Sequence, residues 1–505
     1  MKFNISLRRK VPAQNYEGAK AFVLTPEMEL YTAVVTTALS DQFYEGSAER
    51  LERIRVLISI CDAAFVARLA VYAREVLNLR SIPLVLTVEL ARIHQGDTLV
   101  SRLTGRVVQR ADEITEMLAL YGQANRRKGR KQLNRLSKQV QRGLATAFNK
   151  FDEYQFGKYN RGAQVKLKDA LFLVHPRASD ESQQALFDKI AQDTLANPYT
   201  WEVELSALGQ LRYVNDEVKR SAFTEKWEEL IFSKRLGYMA TLRNLRNILE
   251  ADVCVEAIDK VCAYLADPVA VAKSRQLPFR FLSAWRELKL VQHGMVGKVL
   301  EALESAVQHS AANIAGYDEK TAVVIAADVS GSMQKPVSAR SKVQLFDVGL
   351  MLAMLLQYRC ANVVAGMFGD TWKVIPVPRN QVLRNVDELH RREGEVGYNT
   401  NGFLVIKDLL QQKRRVDKVM LFTDCQLWNS HGSAEHIEDL WKQYKRIAPL
   451  AKLYLFDLAG YGNAPLRIQN NDVYLVAGWS DKIFDVLDAI ERGEDALKLI
   501  GSIEL

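Results

Sequence analysis

Residues 321–332 read TAVVIAADVSGS, from Thr321 through Asp328 to Ser332. A short Val-rich run without alternation marks a strand buried on both faces. It empties into Asp328, Ser330 and Ser332, three oxygen side chains at alternate positions. Similar runs follow at 362–368 (NVVAGMF), 418–422 (KVMLF), 452–458 (KLYLFDL) and 472–476 (DVYLV). Helical patterns fill the gaps at 343–358, 403–412, 434–444 and 482–491. Strands alternating with helices predict a doubly wound α/β domain on a parallel sheet, placed at 316–505. Ligands of such sheets bind beyond the C-terminal strand ends.

Upstream, at 1–315, the period is helical. Leu51, Ile54, Leu57, Ile58 and Cys61 form one apolar stripe, and Phe65, Leu69, Tyr72, Ala73 and Val76 another. Thr25 and Pro26 read as an N-cap and first helical residue. Further stripes at 99–120, 205–214, 227–249 and 253–265 predict an all-α region of stacked helix pairs. No strict repeat period is present.

The 505 residues (57.2 kDa) suit two or three domains. Hydrophobic residues at 48% and charged residues at 25% exclude a mostly disordered chain. No apolar run reaches the ~18 residues of a membrane helix. The N-terminal MKFNISLRRKVP has no apolar core of a secretory signal. Five scattered cysteines without a CxxC pair fit a reducing cytoplasm and exclude a zinc ribbon. A net charge of +8 favours acidic partners, nucleic acid among them.

Asp328, Ser330 and Ser332 are joined in pattern by two further loops. Thr400 lies in the Gly-rich stretch 394–402 (GEVGYNTNG), and Asp424 follows the KVMLF strand. Short hydroxyls and carboxylates at one sheet edge suit a hard divalent cation such as Mg²⁺. A capped strand-end turn would also use Asp and Ser, but does not require Thr400 and Asp424. Several enzyme classes are excluded. Ser330 stands where a haloacid-dehalogenase phosphatase needs a second Asp, and no GxxxxGK[ST], HExxH or GxSxG motif occurs. At these five positions the chain resembles the von Willebrand factor A domain with its metal-ion-dependent adhesion site. That resemblance implies metal ligation by Ser330, Ser332 and Thr400, with Asp328 and Asp424 acting through water.

The second constellation is basic. Arg126, Arg127, Lys128, Arg130, Lys131, Arg135, Lys138 and Arg142 occur in a run with no acid, too dense for a salt-bridged helix face. Lys150, Lys158, Arg161, Lys166, Lys168, His175 and Arg177 follow, with Tyr154, Phe156 and Tyr159 among them. Cations neutralise phosphates and aromatics stack on single-stranded bases. A solvated basic loop with its aromatics in the core is the plainer alternative.

The stretch 142–177, RGLATAFNKFDEYQFGKYNRGAQVKLKDALFLVHPR, is similar to the signature of the TROVE family (telomerase, Ro and vault proteins). Residues 227–249 and 276–288 resemble further family segments. A helical TROVE region followed by an A domain is the order of the Ro proteins. The resemblance implies a monomeric ring of HEAT-like repeats. It implies single-stranded 3′ ends of misfolded RNA in the hole and Y-like noncoding RNA on a basic outer surface. An exoribonuclease such as polynucleotide phosphorylase is the implied partner. Lys158 and His175 match family RNA contacts, Gly162 falls where the family has Arg, and Arg161 is one residue away. Lys168 belongs to the same match. Trp227 and Trp285 are read as core.

The expected function is a non-catalytic RNA-binding protein for noncoding-RNA quality control, cytoplasmic, with no membrane association. A protein–protein adaptor, capturing an acidic partner residue through Mg²⁺, is the alternative.

Overall fold

The computed structural model describes residues 13–36, 44–125, 136–160, 165–310, 320–338, 341–431 and 435–505. Packing divides the chain into two compact units. One holds residues 1–52, 277–279 and 311–497; the other holds 53–276, 280–310 and 498–505. The hydrophobic period changes near 315, but packing follows different lines. The chain up to Glu52 goes with the sheet, and the end from Lys498 goes with the helices.

The sheet unit has nine strands among its described residues: β1 (Ala13–Gln14), β2 (Lys20–Val23), β3 (Ala322–Asp328), β4 (Asn362–Phe368), β5 (Trp372–Val374), β6 (Lys418–Thr423), β7 (Lys452–Asp457), β8 (Asn463–Ala464) and β9 (Val473–Ala477). The larger sheet runs β5-β4-β3-β6-β7-β9. All its pairings are parallel except β4 with β5. The antiparallel edge strand β5 corrects the expectation of an all-parallel sheet. At three residues it is too short to show a period.

The strand order grows outward from β3 in both directions, so the winding reverses between β3 and β6. That reversal leaves a crevice above the strand ends. Asp328 ends β3 and Thr423 ends β6, one on each side of it. Parallel strands are joined right-handed as a general rule, and connections leaving in opposite directions then place helices on opposite faces of a sheet. Helix Leu345–Arg359, buried almost all round, lies between the sheet and helix Leu383–Arg391.

The smaller sheet, β1-β2-β8, joins the N-terminal hairpin to the chain after β7. Helix Pro26–Val35 opens as expected, with Thr25 Oγ1 accepting the Met28 N–H at 3.3 Å. Tyr31 Oη donates to the Ala477 carbonyl of β9 at 3.2 Å. Gly460 has φ +66, and a Cβ there would lie 2.4 Å from Thr36 Oγ1; only glycine allows that approach. Arg50 is buried, with Nε 2.7 Å from Glu45 Oε2 and Nη2 donating to the Ala459 carbonyl.

The helical unit runs through helices from Ala63–Val71 to Val296–Ser310. Leu69, Tyr72, Ala73, Trp227 and Trp285 are buried, but the stripe expected at 205–214 is not: helix Trp201–Gln210 buries none of its residues, and Leu211 and Val214 beyond it are exposed. A π-helical turn at Tyr72–Val76 carries Arg74 into that interior. Arg74 Nη2 meets both oxygens of the fully buried Glu113, at 2.8 and 3.0 Å. Glu113 also caps its own helix by accepting the Arg110 N–H at 3.0 Å. The charge pair is satisfied on every side, which is what permits its burial.

Candidate metal centre and nucleic-acid interface

Three loops assemble the oxygen constellation. Asp328 Oδ1 accepts the Ser330 N–H at 2.9 Å, folding the loop back on itself. Asp328 Oδ2 accepts the Thr423 hydroxyl at 2.7 Å, tying the ends of β3 and β6 together. Ser330 Oγ and Ser332 Oγ stand 3.3 Å apart, both buried. The Gly331 N–H donates to the Tyr398 carbonyl at 3.2 Å, joining this loop to the Gly-rich one.

Thr400 is held from both sides. Its carbonyl accepts the N–H groups of Gly402 at 2.9 Å and Trp428 at 3.3 Å. The next residue, Asn401, is fully buried, donating its N–H to the Gly369 carbonyl at 3.1 Å. Gly397 sits at φ +73, where a Cβ would lie 2.2 Å from Asp370 Oδ2. Asp424 Oδ1 accepts the Gln426 N–H at 3.0 Å.

Two atoms of this cluster are buried with no hydrogen-bond partner: Thr400 Oγ1 and Asp424 Oδ2. An unsatisfied buried polar atom costs about 1–3 kcal/mol, and a cation shared between them would recover that. Burial pushes the Asp328 carboxyl up, with hydrogen bonds from Thr423 and Ser330 drawing it part of the way back. Burial also raises Asp424, and the neighbouring Asp328 charge raises it further. Three hydroxyls and two crowded carboxylates are a donor set for a hard divalent cation, so the residues fit Mg²⁺. Among the described residues no group of three or more His, Cys, Asp or Glu is disposed to hold a metal.

The basic residues fall in several places. Arg126, Arg127, Lys128, Arg130, Lys131, Arg135 and Arg161 lie outside the described residues. Lys138 and Arg142 are exposed on helix Lys138–Phe148. Lys168 is exposed on helix Leu167–Val174, and His175 follows its last turn. His175 takes a left-handed conformation, φ 50 and ψ 57, with its N–H donating to the Leu171 carbonyl at 2.9 Å. It is thus a C-terminal cap by backbone while its imidazole stays exposed. Gln141 binds this neighbourhood together. Its Nε2 donates to the carbonyls of Leu173 and Val174 at 3.1 and 3.2 Å, and its Oε1 accepts from Lys138 Nζ at 3.2 Å.

Phe172 was not singled out in the sequence, yet it is 53% exposed. Lys168, Phe172 and His175 recur at i, i+4 and i+7, one helix face, while Leu167, Ala170, Leu171 and Val174 are buried. That spacing was the signal that could have found it.

Lys158 lies elsewhere, in a cavity of about 590 Å³. Its Nζ is 5.6 Å from the centre of the Tyr154 ring and 5.7 Å from that of Tyr159. Arg235, Lys273, Trp201 and Tyr264 line the same cavity and were not anticipated. Their positions are distant in sequence, so no local pattern joins them. Two expected contributors are otherwise engaged. Phe156 is core, beside Phe148 and Phe151. The Lys150 amine donates to the carbonyls of Gly105 and Val108, and burial lowers its pKa.

The family model described as the TROVE domain matches residues 32–197 and 192–337, more than half of the chain. The chain belongs to the TROVE family. The first TROVE stretch contains Lys158, Lys168, Phe172 and His175; the second reaches past Ser332 but stops short of Thr400 and Asp424. Telomerase protein component 1 of Mus musculus and of Rattus norvegicus each share 40% identity over 90 residues. That is 18% of this chain and only 3% of either relative. The crystal structure of the Deinococcus radiodurans Ro (Rsr) protein covers 93% of this chain and 100% of its own, with a TM-score of 0.58 and 18% identity. That likeness is one of fold: a helix-rich TROVE region with an α/β domain. Among the described residues no helix is long and apolar enough to cross a membrane.

Proposed function

We propose that the chain is a non-catalytic, Ro-type RNA-binding protein acting in noncoding-RNA quality control or processing. The observation that carries this is the exposed face Lys168, Phe172 and His175, inside the segment matched by the TROVE model. A cation, a stacking ring and an imidazole on one face suit single-stranded RNA, where backbone charge and base stacking do most of the binding. The cavity around Lys158, with Arg235, Lys273 and its aromatics, adds a second place for a single-stranded 3′ end. Y-like RNA on the basic surface and partnership with an exoribonuclease, polynucleotide phosphorylase among them, complete the reading, with a cytoplasmic location.

The test is a fluorescence titration with an RNA duplex carrying a single-stranded 3′ tail and the same duplex made blunt. Tighter binding of the tailed RNA, lost in Lys168→Ala/Phe172→Ala/His175→Ser or in Lys158→Ala/Arg235→Ala, is expected. Equal binding of both RNAs would remove end capture. No binding of either would overturn the reading.

A metal-dependent adaptor is favoured by one observation, the orphaned Thr400 Oγ1 and Asp424 Oδ2. In that reading a von Willebrand factor A-type site holds Mg²⁺ on Ser330, Ser332, Thr400, Asp328 and Asp424, leaving a position for a carboxylate.

A further inference from the structure

The N-terminal hairpin is docked onto the loops that carry the oxygen constellation. Its turn is closed by Asn15, buried, whose Oδ1 accepts the N–H groups of Glu17 at 3.1 Å and Ala19 at 2.9 Å. Gly18, at φ +76, completes the reversal. Asn15 Nδ2 donates to the Leu427 carbonyl at 2.9 Å, and the Tyr16 N–H donates to Gln426 Oε1 at 2.8 Å. Gln426 is the residue whose N–H binds Asp424 Oδ1, so the hairpin is one side chain away from a candidate metal ligand.

A tyrosine cluster secures the same contact. Tyr16 stacks on Tyr44 with ring centres 5.0 Å apart and planes 8° from parallel, and Tyr461 meets both rings edge-on. The Tyr44 hydroxyl donates to Glu17 Oε1. Burial and the carboxylates of Glu17 and Asp424 push the Tyr44 phenol up, which sets it in the neighbourhood of the constellation. The phenol therefore holds the Glu17 carboxylate next to Tyr16, whose own N–H is tied through Gln426 to Asp424.

We infer that Glu17 is an acidic ligand supplied in cis to the divalent-cation site, held at its edge by Tyr44. This rests on reading the constellation as a metal site. A hard cation bound by serine and threonine hydroxyls leaves room for one more carboxylate. Glu17 is anchored by Asn15 and Gln426 at the rim where that carboxylate is needed. On metal binding it exchanges the phenol for the cation. The hairpin then serves as a clasp whose strength depends on the ion, and the site is closed to acidic partners.

The test is direct Mn²⁺ binding to the full chain, read from the paramagnetic resonance of free Mn²⁺. Hydrogen exchange at the 15–19 turn is followed in parallel. Asp424→Asn is expected to abolish binding, which checks the metal reading alone. Glu17→Gln is expected to weaken binding by on the order of 10-fold, with acetate restoring part of it. Tyr44→Phe, which frees the carboxylate, is expected to bind as tightly or tighter. Mn²⁺ should slow exchange in the turn of the wild type but not of Glu17→Gln. Unchanged affinity and unchanged metal-linked exchange in Glu17→Gln, with Asp424-dependent binding intact, would overturn the cis ligand and leave the metal site standing. Failure of the wild type to bind Mn²⁺ would overturn both.

Discussion

Asp328 and Asp424 set the chemistry at the scale of single residues. Both carboxyls are raised, by burial and, for Asp424, by its neighbour's charge. The folded protein therefore keeps protons that the unfolded chain has lost, between the ordinary carboxylate range and the raised values. Metal-free stability falls as pH rises through that window. A divalent cation binds the ionised pair and reverses the trend. At about pH 8, Mg²⁺ is expected to raise the thermal midpoint of the wild type. Asp424→Asn is expected to stabilise the metal-free protein by about 1–2 kcal/mol and to remove the Mg²⁺ gain. Calorimetry with and without chelator measures both, and a flat Mg²⁺ response in the wild type would refute the site. At this scale residue types were readable: hydroxyl and carboxylate at strand ends name their own chemistry. Exposure was less so: the spacing from Lys168 was the one signal for Phe172, and the sequence left Phe156 open between a stacking platform and the core.

At the scale of elements, one carboxylate ties two strands of the sheet to a helix whose apolar side is also buried against it. Glu491 ends helix Ile483–Glu491. It meets Lys418 Nζ of β6 at 2.7 Å, Lys452 Nζ of β7 at 2.9 Å, and the Tyr454 hydroxyl. Burial alone would raise its carboxyl, but the hydrogen bonds from Lys418, Tyr454 and Lys452 outweigh burial and lower it. Burial pulls Lys418 down as well, so the partners do not gain equally, and Glu491 is what keeps that buried amine matched. A lowered carboxyl adds stability above the unfolded pKa and loses it as pH falls through the folded one. Glu491→Gln is expected to cost about 3 kcal/mol at neutral pH, with the difference from wild type shrinking in acid. Urea denaturation at several pH values checks this, and a pH-independent difference would contradict it. The long elements were legible because β3, β4, β6, β7 and β9 are continuous apolar runs. β1, β2 and β8 were not, since two to four residues carry no period.

At the scale of the whole molecule, the net charge of +8 acts through where its cations stand. For RNA binding, the logarithm of affinity is expected to fall linearly with the logarithm of salt concentration. Lys138→Ala or Lys168→Ala is expected to reduce that slope by about 0.7 for each single-strand phosphate that the variant no longer neutralises. Phe172→Ala is expected to lower affinity by about 1–3 kcal/mol while leaving the slope unchanged. A salt series on the three variants separates charge from stacking, and equal slope changes in all three would contradict the assignment. The sequence by itself determined the two structural regimes, the helical period before residue 315 and the apolar strands after it. It also determined the oxygen types at Asp328, Ser330, Ser332, Thr400 and Asp424. These are local facts: periodicity follows from which face is buried, and strand ends project their residues into the crevice. Only the tertiary structure decided what meets across long stretches of chain. It docked Asn15 on Leu427, 412 residues away. It brought Tyr44 to Tyr461, and gathered Lys158, Arg235 and Lys273 around one cavity. Such meetings depend on how elements stack, and no spacing along the chain encodes them.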